Sequence, residues 1–177
     1  MKRVLVTGGT GFLGKRLKRA NPNWIFISSK DCDLTDKDQV ADLFSSVKTD
    51  SIIHLAAKVG GIKSNVNNQA EFFYTNVMIN TNVIHQAHMS NVNRVLSCLS
   101  TCAFPDNTFV YPYTEESFFH GPPADSNFSY GMSKRMLHAS SVAYRKQHGR
   151  NYSTFCPSNL YGPEDHFDSE NSHFVPA

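Results

Sequence analysis

Val4-Leu5-Val6-Thr7-Gly8-Gly9-Thr10-Gly11-Phe12-Leu13-Gly14 opens the chain with a short apolar run that stops abruptly at two glycines. Val4 to Val6 read as a buried strand. A helix is expected from about Phe12, fading around Ala20 with Pro22 beyond it. Gly8, Gly11 and Gly14 stand three apart, directly after the strand and at the opening of the helix. Residues without a side chain let the backbone turn sharply and come close to a pyrophosphate, which then lies at the positive end of the helix. Tight turns use glycine for other reasons too, so it is the placement after the first strand that points to a dinucleotide.

Working outward, short β-branched runs keep alternating with helical periods. Trp24–Ile27 is a second strand, and Thr35 is the expected cap of a helix carrying Val40, Leu43, Phe44 and Val47. Ser51–Leu55 is a third strand. Gln69–Met89 is helical with Phe73, Val77, Ile84 and Ala87 on one face. Arg94–Leu99 is a fourth strand, followed by a long irregular stretch containing five proline and glycine breaks from Pro105 to Pro123. Tyr130–Gln147 is helical with Met132, Met136, Ala139 and Ala143 on one side, Gly149 stops it, and Tyr152–Cys156 is a fifth strand. This alternation predicts an α/β fold, a Rossmann-type doubly wound parallel sheet covered on both faces. Ligands of such sheets lie outside the carboxyl ends of the strands. Segments 7–14, 28–34, 55–61, 99–105 and 157–163 should therefore line one crevice. Its cofactor candidates are Gly8, Gly11, Phe12, Leu13, Gly14, Ser29, Lys30, Leu55, Ala56, Ala57, Pro157, Asn159 and Leu160.

The second strand ends in Ile27-Ser28-Ser29-Lys30. An acid at that point would hold a ribose 2′-hydroxyl and repel a 2′-phosphate, whereas hydroxyls followed by a cation favour NADP(H) over NAD(H). Lys30 also reads as a solvated loop lysine, with Asp31 beside it. Tyr130 and Lys134, four apart on a helix, share a face. A nearby ammonium is expected to lower the tyrosine pKa and make Tyr130 a proton donor to a developing alkoxide. A half-buried tyrosine beside a surface lysine is the plain alternative. What weighs against it is Ser100-Thr101-Cys102, just past the fourth strand at the same edge as the glycine turn. A hydroxyl there can donate to a substrate carbonyl.

The 177 residues, 40% hydrophobic and 18% charged, suit one compact domain and exclude wholesale disorder. Seventeen Lys+Arg against fifteen Asp+Glu give +2, far from the charge of a dedicated nucleic-acid binder. No apolar stretch approaches the roughly 20 residues that span a bilayer. A cytoplasmic protein is the expectation, with Cys32, Cys98, Cys102 and Cys156 as thiols. The histidines outside the C-terminal stretch show no ligand spacing, and no metal is predicted.

These residues carry a resemblance. The glycine turn, His54-Leu55-Ala56-Ala57, Asn76-Val77 with Asn80-Thr81-Asn82-Val83-Ile84, and Tyr130-Gly131-Met132-Ser133-Lys134 resemble the extended short-chain dehydrogenase/reductases, in that family's order. Finer motifs are similar to its GDP-L-fucose synthase branch: Ala56–Ile62, Ser100–Pro105, Pro157–Pro163 and Ser172–Ala177. The resemblance implies an NADPH-dependent 3,5-epimerase and 4-reductase acting on GDP-4-keto-6-deoxy-D-mannose. It implies Ser100, Tyr130 and Lys134 as reductase residues, and Cys102 and His173 as the epimerase acid/base pair. Tyr130 and Lys134 then also touch the cofactor, Asn159 lies toward the nicotinamide or the sugar, and Asp33-Leu34 lies beside the adenine. Asp33 reads equally as a helix-capping residue.

Members of that branch are much longer. Residues 1–177 therefore read as an NADP-binding Rossmann domain truncated at its C-terminus, with the substrate domain largely absent. The sheet edge left open is expected to need a partner, a second copy giving a homodimer. Two further readings stay open: a Rossmann module that holds NADP(H) without turnover, and another nucleotide-sugar epimerase or dehydratase.

Overall fold

The computed structural model describes residues 3–107 and 111–163. The elements run β1 (Val4–Thr7), α1 (Phe12–Ala20), β2 (Ile25–Ile27), α2 (Lys37–Ser46), β3 (Ser51–His54), α3 (Ile62–Asn67), α4 (Gln69–Met89), β4 (Arg94–Cys98), α5 (Phe128–His148) and β5 (Asn151–Phe155). The five strands form one parallel sheet in the order β2-β1-β3-β4-β5. From β1 the chain winds first to β2, then crosses back to β3 and on to β5. Right-handed crossovers in opposite directions place helices on both faces, which makes the sheet doubly wound. The order reverses between β1 and β3, so the crevice opens above those two strands.

The register explains both the core and the site. Ile25, Leu5, Ile52, Val95 and Tyr152 lie side by side across the sheet. This apolar row packs with Val40 and Phe44 of α2, Val83 and Ile84 of α4 and Leu137 of α5. Two residues on, at the carboxyl end of the same face, the row becomes polar: Thr7, His54, Ser97 and Thr154. Three of these, Thr7, His54 and Ser97, are fully buried. Buried polar groups need partners: Thr7 bonds His54, which also bonds Asn80 of α4, Thr154 bonds His138 of α5, and the Ser97 hydroxyl has no partner among the described residues.

Three local expectations are corrected. The cap of α2 is Asp36, not Thr35: its carboxylate accepts from the N–H groups of Asp38 (2.9 Å) and Gln39 (3.2 Å). Thr35 instead donates its N–H and hydroxyl to Asp33. On α4 the buried aromatic is Phe72, and Phe73 is exposed, because Asn76 and Asn80 share the inner face with Ile79 and Val83. On α5 the inner side is Gly131, Ser133, Lys134, Leu137 and Ser141, while Met136, Ala139 and Ala143 face outward. The hydroxyls of Ser133 and Ser141 are bonded to carbonyls of their own helix, so small polar residues can face the core. Gly149 does end α5, in the left-handed conformation. The short helix α3 falls in what reads from sequence as the end of a loop. Among the described residues no helix is long and apolar enough to cross a membrane.

Candidate active site

The turn after β1 has no room for side chains. Gly8 has φ +72°, and a Cβ there would lie 2.9 Å from the Ala56 nitrogen. At Gly14 a Cβ would lie 2.3 Å from the Gly8 carbonyl oxygen and 2.8 Å from Gly9. The backbone therefore closes on itself, and α1 has Gly11 at its N-cap, with no side-chain cap and no acid in its first turn. Its leading N–H groups are left for a ligand, and the positive helix end favours an anion. A cradle that side chains would fill, beside uncapped amides, fits the pyrophosphate of a dinucleotide.

Neighbouring segments complete the crevice. Leu55 and Ala56 donate their N–H groups to the Thr7 hydroxyl, both at 3.2 Å. After β2, Ser28 donates twice to Asp31, holding that carboxyl below its ordinary range, and Ser29 and Lys30 are exposed. Asp33 is engaged with Thr35 and Gln39, and Leu34 is buried with its carbonyl held by Asn82. The 157–163 loop returns over α1, so that a Cβ at Gly162 would meet the Phe12 ring at 3.4 Å. Asn159 and Leu160 are exposed on that loop and Pro157 is partly buried.

The second cluster follows β4. Ser100 caps a short 3-10 turn, Thr101–Ala103, by accepting from the Cys102 N–H at 3.2 Å. The first turn of α5 brings Tyr130 close enough for the Ser100 side chain to favour its ionised form. Burial, followed by the neighbouring Cys102 and Cys98, raises the Tyr130 pKa above its ordinary value, and only the Ser100 side chain opposes this. The expected lowering by Lys134 does not occur. The Lys134 ammonium lies 5.6 Å from the centre of the Tyr130 ring and donates to the Cys98 carbonyl at 2.9 Å. Lys134 is 3% exposed, and burial pushes its pKa down to about 8. A phenol that keeps its proton and a lysine that can lose one are suited to proton transfer near neutral pH.

A polar chain that the motifs do not announce joins the two clusters. Thr7 accepts two N–H bonds, so its hydroxyl donates to His54 Nδ1 at 2.7 Å. His54 Nε2 then donates to the Asn80 side chain at 3.1 Å, and Asn80 donates to the Ser133 carbonyl at 3.3 Å. Burial, with the Lys134 charge second, drives the His54 pKa down to about 4, which keeps the ring neutral in this chain of bonds. The available signal was Asn76 and Asn80 at helical spacing on an otherwise apolar face. Arg135, also missed, is the residue beside Lys134, and its buried side chain reaches the serine turn. His173 lies outside the described residues. Among those described, no cluster of His, Cys, Asp and Glu could hold a metal ion.

A family model described as the NAD dependent epimerase/dehydratase family matches residues 4–177. The chain belongs to that family. Among its relatives, a "Probable GDP-L-fucose synthase" of Drosophila melanogaster is 44% identical over 184 residues, covering 100% of this chain and 57% of that protein. The GDP-L-fucose synthase of Dictyostelium discoideum is 40% identical and covers 99% and 57%. A crystal structure of a GDP-L-fucose synthetase from Naegleria fowleri bound to NADP matches with TM-score 0.89 and 38% identity, covering 99% of this chain and 59% of that one. The chain thus spans under two thirds of these epimerase/dehydratase relatives.

Proposed function

We propose that this chain carries the cofactor and catalytic groups of an NADPH-dependent 3,5-epimerase and 4-reductase converting GDP-4-keto-6-deoxy-D-mannose to GDP-L-fucose. The observation that carries this reading is one cluster: Ser100 beside Tyr130, the buried Lys134 ammonium 5.6 Å from the Tyr130 ring centre, and Cys102 on the same turn as Ser100. The names of the relatives supply the substrate.

The dinucleotide is held along Gly8, Gly11, Phe12, Leu13 and Gly14, with Leu55, Ala56 and Ala57 on its other side. Ser29 and Lys30 face a 2′-phosphate, Asp33 and Leu34 lie toward the adenine, and Pro157, Asn159 and Leu160 toward the nicotinamide. When bound, the reduced nicotinamide supplies the hydride for carbon 4. Ser100 donates a hydrogen bond to the oxygen on that carbon, and Tyr130 gives it a proton. Lys134 holds the Cys98 carbonyl and, with its pKa lowered to about 8, can pass a proton on as Tyr130 gives up its own. For epimerisation the 4-keto group acidifies the protons on carbons 3 and 5. Cys102 and His173 remove and return them from opposite faces. A homodimer in the cytoplasm is assigned, supported by the outward apolar side chains Phe73 and Tyr74 of α4 and Phe128 and Met136 of α5, and by four free cysteines.

The test pairs two readouts on one sample: loss of NADPH absorbance with GDP-4-keto-6-deoxymannose, and NADPH binding by fluorescence. Turnover supports the enzyme. Binding without turnover favours the second reading, a cofactor-holding module. Absence of both rejects the cofactor assignment.

A further inference from the structure

The start of α5 grips the turn after β4 at three backbone carbonyls. Lys134 Nζ donates to Cys98 at 2.9 Å, and Arg135 Nε donates to Ala103 at 2.7 Å. Between them Gly131 meets the Cys102 carbonyl so closely that a Cβ would stand 2.5 Å from its oxygen. Of the three, Arg135 is the costly one. It is 7% exposed, its guanidinium carbon lies 5.8 Å and 5.7 Å from the centres of the Phe118 and Phe119 rings, and its buried Nη2 has no partner among the described residues. Burial is what moves its pKa, downward. Two aromatic faces offset part of the desolvation of a guanidinium, but an apolar side chain of similar volume would pack there without that cost. A buried cation kept under those terms points to what its N–H does, and Nε reaches only one place: the last residue of the Ser100–Ala103 turn.

We propose that Arg135 is a positioning residue, caged by Phe118 and Phe119, that fixes the Ala103 carbonyl and so sets where Ser100 and Cys102 stand relative to Tyr130. The roles of Ser100 and Cys102 rest on the reading above; the grip on their turn does not. Lysine at this position can still donate to Ala103, whereas methionine fills the cage and donates nothing.

The test is the rate at which iodoacetamide alkylates each cysteine of the 177-residue chain, resolved by mass spectrometry. It compares wild type, Arg135→Met, Arg135→Lys and Phe119→Leu. Cys32, buried in the loop after β2 at the other edge of the sheet, reports global loosening. Arg135→Met is expected to change the Cys102 rate about tenfold, the size of losing one charge-assisted hydrogen bond, with Cys32 unchanged. Arg135→Lys should recover most of the difference. In turnover assays kcat should fall with KM kept. If Arg135→Met does not fold, Phe119→Leu opens one wall of the cage at a residue already 55% exposed and should move Cys102 in the same direction by less. Unchanged Cys102 rates in the variants that fold, or Cys32 rising in step with Cys102, overturn the proposal. Because alkylation needs neither substrate nor NADPH, absence of turnover in the wild type rejects the enzymatic reading and leaves this comparison to be decided by its own result.

Discussion

After β1 the chain turns on glycines and no side chain shapes the bend; after β4 it turns at Ser100–Ala103, shaped by side chains reaching in from α5. The first turn is held by excluded volume: Gly14 and Gly8 touch backbone to backbone. The second is held by directed bonds from two buried cations, Lys134 and Arg135. A turn made by exclusion fails when an atom is added. A turn made by buried charge fails in function when a group is removed, and can even gain stability. The two regions therefore respond to substitution in opposite ways.

Gly14→Ala should have the largest effect. Its added methyl meets backbone atoms that cannot swing aside, and about 4 kcal/mol of stability should be lost together with NADP(H) binding. Urea unfolding and fluorescence titration would show it; a fully stable Gly14→Ala would break the exclusion half of the comparison. Tyr130→Phe is the counterpart on the other side. Turnover should drop about 10³-fold, with cofactor binding and melting temperature preserved.

The joint between the two regions is sensitive to pH. The His54 pKa of about 4 lies below its ordinary 6.5, so between those values the unfolded chain binds more protons than the folded one. The stabilisation is complete above pH 6.5 and is lost as pH falls toward 4, by about 3 kcal/mol. His54→Gln should flatten this dependence in melting curves taken across that window. Gly131→Ala comes next, at about 2 kcal/mol. Its methyl pushes on the Cys102 carbonyl, so turnover should suffer while NADP(H) binding survives. Lys134→Met should change stability least, by about 1 kcal/mol and toward greater stability, while abolishing turnover. A clear loss of stability there would show that the Cys98 bond outweighs the cost of burying the ammonium.

The same contrast governs what could be read in advance. Gly8, Gly11 and Gly14 are legible because exclusion leaves a residue type at fixed spacing, and the limits of α1 and α4 follow from ordinary apolar periods. Ser100, Tyr130 and Lys134 are visible as motif letters, and their common edge follows from the parallel order of the strands. What the letters do not carry is direction. Periodicity assigns Met136 and Ala139 inward, whereas Ser133 and Ser141 take that side by bonding within the helix. Lys134 next to Tyr130 suggests a phenolate, whereas burial and the Cys98 carbonyl decide otherwise. Arg135 escapes notice because a second lysine-or-arginine on a helix reads as a solvated charge. Only tertiary packing encloses it.

The bonds from Thr7 through His54 and Asn80 to Ser133 also have a kinetic consequence. They cross from β1 to α5 through residues with almost no solvent contact. Neither end can open without breaking the middle, so the glycine turn and α5 should behave as one cooperative unit. In native-state hydrogen exchange the amides of Leu55 and Ala56, although they belong to a loop, should exchange as slowly as those in the middle of α5.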